Sequence, residues 1–186
     1  MLENNIFKKG LCCRICNSSL SSPHITLPDM PLTDGFQEVG NIKEEFIKDI
    51  KIYECKNCFF VQNPFDFSYS DYYKDYNYSS GHSDFTQKFF KTFAEVLDEI
   101  YYKLNSKKAK NVIEAGSGDG MQLKEFKEIG YEVLGIEPSD FLTQEANNRG
   151  IKTELSLYNS QLDYENEFDI SISSYTFDHM QDPLDY

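Results

Sequence analysis

The sequence has no tryptophan and few cations: 18 Lys and Arg stand against 31 Asp and Glu, a formal net charge of -13. Binding driven by phosphate neutralisation needs a basic surface, and no cationic stripe is concentrated anywhere in the chain, so no nucleic-acid partner is expected. The chain also lacks any run near the roughly eighteen continuous apolar residues of a membrane helix. Met1 to Gly10 is too short and too polar for a secretion signal. A cytoplasmic protein with no membrane partner is therefore expected. No internal repeat and no low-complexity tract interrupts the chain, and cysteine is absent after Cys58. What is present is ordinary globular composition, 40% hydrophobic and 26% charged over 186 residues, enough for one or two compact domains.

Five cysteines in a reducing compartment are poor candidates for structural disulfides, so their spacing has to account for them. Cys13-Arg-Ile-Cys16 and Cys55-Lys-Asn-Cys58 are two CxxC pairs. A two-residue gap turns both sulfurs of a pair toward one point, and two pairs supply the four thiolates of a closed tetrahedral zinc site. Such a site is structural, because it leaves no coordination position for a substrate water. Cys12 competes with Cys13 as ligand, and the two-residue spacing favours Cys13. A redox dithiol would use one CxxC opening a helix and has no need of the second pair. The stretch from Cys16 to Cys55 exceeds the usual ribbon spacing, so a substructure is expected there. Pro23, Pro28, Pro31 and Gly35 mark loops, while Ile50 to Tyr53 and Phe59 to Val61 read as short strands. We set the end of this module near Gly81, dividing the chain into 1–80 and 81–186.

From Asp84 to Leu104, apolar residues recur at Phe85, Phe89, Phe93, Val96, Ile100 and Leu104, the spacing of an amphipathic helix packed on a core. Asn111 to Ala115 reads as a strand, Met121 to Ile129 as a helix closed by Gly130, and Tyr131 to Ile136 as a strand. Phe141 to Asn148 reads as a helix that Ser139 or Asp140 caps and Gly150 ends. Ile151 to Leu155 and Asp169 to Ser174 are further strands. Strands alternating with helices predict an α/β fold with a parallel sheet.

Gly116, Gly118 and Gly120 fall between the first of these strands and its helix, where bare backbone permits a tight turn and a close cofactor. The spacing is GxGxG. A dinucleotide fingerprint wants glycine where Met121 stands, which disfavours an NAD-dependent oxidoreductase. Glu137, ending the next strand, is placed to accept hydrogen bonds from ribose hydroxyls. Glu114, at the mouth of the first strand, suits a cofactor with positive charge rather than phosphate.

The run Glu114 to Gly120, then Ile136-Glu137-Pro138, then Asp169 to Pro183 resembles the class I methyltransferase pattern in order and approximate spacing. The resemblance implies an incomplete Rossmann-like sheet in which Gly116, Gly118 and Gly120 pass along S-adenosylmethionine and Glu137 holds its ribose. Adding Cys13-Arg-Ile-Cys16-Asn-Ser, Pro31 to Phe36, Cys55-Lys-Asn-Cys58 and Tyr76-Asn-Tyr78-Ser79-Ser80, nearly the whole chain is similar to the sugar C-methyltransferase family. That likeness implies methyl transfer to a carbon beside a keto group on a nucleotide-linked deoxysugar. His179 resembles a histidine after the fourth strand that faces the substrate, and is the candidate catalytic residue.

Tyr69, Tyr72, Tyr73, Tyr76 and Tyr78 crowd the junction, and Tyr76 and Tyr78 are candidates to close over a nucleotide sugar. His24 and His82 read as ordinary surface or loop residues. The family's Tyr-His-Glu-His catalytic stretch lies beyond Tyr186, so the resemblance implies a chain that lacks its C-terminal catalytic part. It also implies an unpaired sheet edge at Ile170 and Ile172, open to a complementing chain. The competing functions are O- or N-methylation of another small molecule, and a non-catalytic fragment that binds zinc and cofactor.

Overall fold

The computed structural model describes residues 11–31, 39–40, 47–64, 73, 76, 78–79, 83–165, 167–180 and 182–186. Gly35, Phe36, Tyr69, Tyr72, Ser80, Gly81 and His82, all singled out above, lie outside the described residues. The chain divides into two compact units, Met1–Ser68 with Gln181–Leu184, and Tyr69–Met180 with Asp185–Tyr186.

The first unit contains a three-stranded antiparallel sheet in the order β1-β2-β3, formed by Ile25–Pro31, Ile47–Glu54 and Val61–Gln62. β1 and β2 both lie in the long interval between the two cysteine pairs. Pro28 and Pro31, read as loop markers, lie inside β1. Proline is tolerated there because β1 is an edge strand and its register shifts between Leu27 and Met30, with Asp29 at a φ of 52°. The core is small: Leu20, Tyr53, Cys13 and Cys55 are buried, with Leu11, Ile15 and Phe60 packed around them.

The second unit opens with α1, Asp84–Asn105, started by Ser83, whose hydroxyl accepts from the Thr86 backbone N–H. It continues through β4 (Asn111–Ala115), α2 (Met121–Glu128), β5 (Glu132–Glu137), α3 (Asp140–Asn148), β6 (Thr153–Leu155), β7 (Ile170–Ile172) and a 3-10 turn, Phe177–His179. All four strands run parallel in the order β6-β5-β4-β7. After Asn111, the residues of β4 are buried throughout, as both faces of a parallel sheet demand. Ser139 caps α3, accepting from Leu142 N at 3.2 Å, and Gly150 follows the helix at a φ of 78°. On one face, Val112 and Ile172 pack with Leu123 and Phe126 of α2; on the other, Ile113, Leu134 and Ile136 meet Tyr158, Leu162, Tyr164 and Phe168.

The helix over Asp84–Asn105 forms as its periodicity predicts, but the apolar line expected to face the core does not. Phe85, Phe89, Val96, Ile100 and Leu104 are exposed, and only Phe93 of that line packs inward. The docked line is Phe90, Ala94, Leu97 and Tyr101, which has the same three-to-four spacing and sits next to the first around the helix. Spacing identifies an apolar line without saying which of two adjacent lines meets the sheet.

Successive strands run from β4 outward through β5 to β6, and the chain then crosses to the other side of β4 to lay down β7. The reversal makes a topological switch point at the C-terminal end of β4, the place where open α/β sheets bind ligands. Among the described residues, β7 is an edge strand, and no helix is long and apolar enough to cross a membrane.

Candidate functional site

In the first unit the sulfurs of Cys13, Cys16, Cys55 and Cys58 all lie within 4.8 Å of one another. Cys13 and Cys58 are 3.6 Å apart and Cys16 and Cys55 3.4 Å. A tetrahedron with zinc–sulfur bonds of about 2.3 Å has sulfurs about 3.8 Å apart, so the donor set fits zinc in size and in chemistry. The two pairs are held by matching turns. In one, Cys13 O accepts from Asn17 N and Cys13 N donates to Ser18 O; in the other, Cys55 O accepts from Phe59 N and Cys55 N donates to Phe60 O. Asn17 and Phe59 both take positive φ, 58° and 62°, which swings each chain away after its second sulfur. Cys12 bridges to Ser19 and is not part of the sulfur cluster. The hydroxyl of Ser18 first, then the Asn57 side chain, hold the Cys16 thiol down to about 5.

In the second unit the glycine turn lies at the switch point. Gly116, Gly118 and Gly120 have φ of 69°, 56° and 75°, a region that side chains with Cβ disfavour. Gly116 is required twice over, because a Cβ there would stand 2.3 Å from Thr176 Oγ1. That contact brings the loop after β7 onto the turn, and His179 follows it, its N–H donating to Thr176 O at 2.9 Å. The His179 ring is half exposed, with Nδ1 3.1 Å from the Tyr73 hydroxyl and Nε2 3.6 Å from Asp178.

Glu137 joins the turn to the end of β5. Its Oε2 accepts from Gly118 N at 2.9 Å and its Oε1 from Ser139 N at 2.8 Å. Burial pushes its carboxyl above the ordinary range, and the backbone bonds from Ser139 and Gly118 oppose that shift. Glu114 is pushed up much further, by burial first and then by the charges of Glu137 and Asp119.

Several residues that carry the site were not visible as motifs. Asp119 is buried inside the turn and paired with Arg149, whose Nη1 lies 2.7 Å from Asp119 Oδ2 and donates to Asp119 O at 2.9 Å. Ser79 also donates to Asp119, while Ser139 Oγ donates to Tyr76 O at 2.6 Å. The tyrosine-serine segment thus touches both the glycine turn and the end of β5. Tyr76 is half-buried there; Tyr78 is exposed and takes no visible part. Arg149 and Asp119 are 30 residues apart and follow no spacing rule. The structure therefore brings together Glu114, Gly116, Gly118, Gly120 and Glu137, links His179 to them through Thr176, and leaves Tyr78 apart.

The site fits a cationic nucleoside cofactor better than a phosphorylated one. Three acidic side chains, Glu114, Asp119 and Glu137, surround the turn; Arg149 offsets Asp119 and burial favours the uncharged form of Glu114, so Glu137 gives the site its acidic character. A pyrophosphate would meet like charge there, whereas a sulfonium meets opposite charge.

The buried Glu114 predicts a pH effect. Its carboxyl is raised above the ordinary 4.5, so the stability it contributes is complete below that value and is lost as pH rises through the folded-state value. Urea midpoints of wild type and Glu114→Gln, compared between pH 5 and 8 without ligand, should show the wild type losing ground steadily to the variant. A constant difference would place the carboxyl in the ordinary range.

A family model described as "Methyltransferase domain" matches residues 85–186, and one described as "Putative zinc binding domain" matches residues 13–73. No curated protein matches the sequence. Solved structures that the chain matches in part include the plantazolicin methyltransferase BpumL in complex with a monoazolic desmethylPZN analog and SAH. It has a TM-score of 0.48 and 18% identity over 53% of this chain and 40% of that one. A sugar N-methyltransferase from Streptoalloteichus sp. has a TM-score of 0.40 and 17% identity over 53% of this chain and 42% of its own. The magnesium protoporphyrin IX methyltransferase from Synechocystis with bound SAM has a TM-score of 0.42 and 17% identity, covering 60% of this chain and 62% of that one. The chain thus spans between 40% and 62% of the length of these structures. A four-cysteine cluster, a parallel sheet with its glycine turn at the switch point, and a model match over residues 85–186, more than half of the chain, place this protein in the methyltransferase domain family, behind an N-terminal zinc binding domain.

Proposed function

We propose that the chain binds S-adenosylmethionine at the glycine turn and serves C-methylation of a nucleotide-linked keto-deoxysugar. The observation that carries the donor half is Glu137, whose two oxygens are each fixed by one backbone N–H, from Gly118 and Ser139. Each oxygen keeps a further lone pair for a ribose hydroxyl, and the same bond to Gly118 sets the turn beneath it. Gly116, Gly118 and Gly120 form the floor, and Glu114 lies at the end of β4. When bound, S-adenosylmethionine supplies an electrophilic methyl group on a cationic sulfur.

For the acceptor half, the support is the order of segments: zinc module, tyrosine-serine segment, then the donor-binding sheet, as in the sugar C-methyltransferases. A carbon beside a keto group has an acidic proton, and His179 is our candidate to take it at Nε2. The Tyr73 hydroxyl beside Nδ1 steadies that ring. Tyr76 and Tyr78 are proposed to line the sugar nucleotide. Cys13, Cys16, Cys55 and Cys58 hold zinc in a structural role, within a module we take as residues 1–80, with 81–186 as the donor-binding domain. A thiolate-rich site of this kind suits the reducing cytoplasm. Among the described residues β7 is an edge strand, and its outer side is our candidate contact for a complementing chain.

The acceptor is tested by supplying labelled S-adenosylmethionine with nucleotide keto-deoxysugars and with hydroxyl- or amine-bearing counterparts. Label on the carbon beside the keto group, with that position exchanging its proton with solvent, is the expected result. Label on oxygen or nitrogen would overturn the acceptor assignment and leave the donor assignment standing.

A further inference from the structure

In β3, just after the second cysteine pair, the two side chains lie the opposite way round from ordinary partitioning. Gln62 is 6% exposed and its neighbour Val61 is 61% exposed, so the strand turns its amide inward and its apolar residue to water. Burying an amide in place of a valine is costly unless its polar atoms find partners. One of them does: Gln62 Oε1 accepts from Arg14 N at 3.0 Å. The other does not, because Nε2 is buried and has no hydrogen-bond partner among the described residues.

The bond to Arg14 fixes which way the amide points. A backbone N–H needs an acceptor, so the oxygen stays on the Arg14 side and the Nε2 hydrogens are committed to the other. Arg14 directly follows Cys13, and the amide comes close enough to act on that sulfur. Burial raises the Cys13 thiol, while the Cys16 backbone N–H and then the Gln62 side chain bring it below its ordinary value. A neutral thiol is a weak acceptor and does not draw the amide into a full hydrogen bond. A metal-bound thiolate is charged, and a charged acceptor shortens and strengthens the bond it receives. The demand for donors is high here. Four thiolates on one divalent cation leave the cluster negative, and Cys13 and Cys55 are only 3% and 0% exposed, so water cannot supply the donors.

We propose that Gln62 is a positioning residue of the zinc site, whose Nε2 donates to the Cys13 thiolate once metal is bound while its Oε1 stays on Arg14 N. Because Gln62 is paired in register with Tyr53 of β2, that one side chain ties the antiparallel sheet and the second cysteine pair to the first pair. Zinc and β3 then hold each other in place.

The test loads the full chain with an NMR-active cadmium isotope, which takes the same four thiolates as zinc. A hydrogen bond onto a metal-bound sulfur transmits scalar coupling from the proton to the metal, and burial alone does not. One Nε2 proton of Gln62 should couple to cadmium and exchange slowly with water. Absence of that coupling, in a chain whose two pairs hold the metal, would overturn the proposal. Gln62→Met keeps the length and burial of the side chain and removes the donor. Zinc loss from this variant to a chelator should be faster than from wild type by about tenfold or more, the scale of partners that support metal ligands. Release at the wild-type rate would also overturn the proposal. If Gln62→Met fails to fold, the coupling in the wild type decides the matter by itself.

Discussion

Glu137→Ala should weaken binding of S-adenosylhomocysteine by about 100-fold, equivalent to about 2.7 kcal/mol. The loss has two sources. The carboxylate accepts from Gly118 N and Ser139 N, so its removal releases the turn at the middle glycine and frees the N-terminal approach to α3. It also removes the acceptor for the ribose hydroxyls, and hydrogen bonds to a charged group contribute about 1.5–3 kcal/mol. Thermal stability without ligand should move much less than affinity. Burial disfavours the Glu137 carboxylate, so removing it relieves a desolvation cost that offsets the lost backbone bonds. Glu137→Gln, which retains one acceptor oxygen, should lie between wild type and Glu137→Ala. Affinity unchanged in both variants would show that Glu137 takes no part in holding the cofactor.

Removal of zinc should unfold the first unit. Among the described residues its buried cluster contains Leu20 and Tyr53 besides two of the ligands themselves, Cys13 and Cys55. Below about 40 residues or with comparably small cores, metal or disulfide staples supply the missing stability, and structural zinc contributes about 10–16 kcal/mol in zinc-finger peptides. Cys55→Ser removes a fully buried ligand and should have the same effect as a chelator. Resonances of Ile25–Pro31 and Ile47–Glu54 should lose their strand dispersion in NMR spectra, while the four parallel strands keep theirs. The backbone bond from Phe60 opposes it, yet burial and the neighbouring sulfurs push the Cys58 thiol up to about 12. Zinc must displace that proton, so loading should release protons and reverse on acidification. Strand signals that survived complete metal removal would show that the antiparallel sheet folds without its staple.

The features legible in the sequence were those carried by local spacing. Two CxxC pairs announced four sulfurs at one point, and short apolar runs ending in glycine announced parallel strands with helices between them. The GxGxG run and Glu137 were found because both belong to one strand-turn-helix-strand unit. What escaped was non-local or degenerate. Two adjacent apolar lines run along α1, and only the packed structure shows that Phe90, Ala94, Leu97 and Tyr101 dock while Phe85 and Leu104 do not. Pro28 reads as a strand breaker until its strand is seen to be an edge with a register shift. Arg149 and Asp119 come from different helix-turn units, and no period joins them. No spacing singles out Gln122, whose unmatched oxygen is visible only once its neighbours are in place.

The most direct test of the whole account is calorimetric titration of the zinc-loaded chain with S-adenosylhomocysteine and, separately, with NADH. Three acidic side chains around a GxGxG turn predict saturable one-to-one binding of the first and no measurable binding of the second. Binding of NADH in preference to S-adenosylhomocysteine, by a chain whose sheet remains folded, would contradict it.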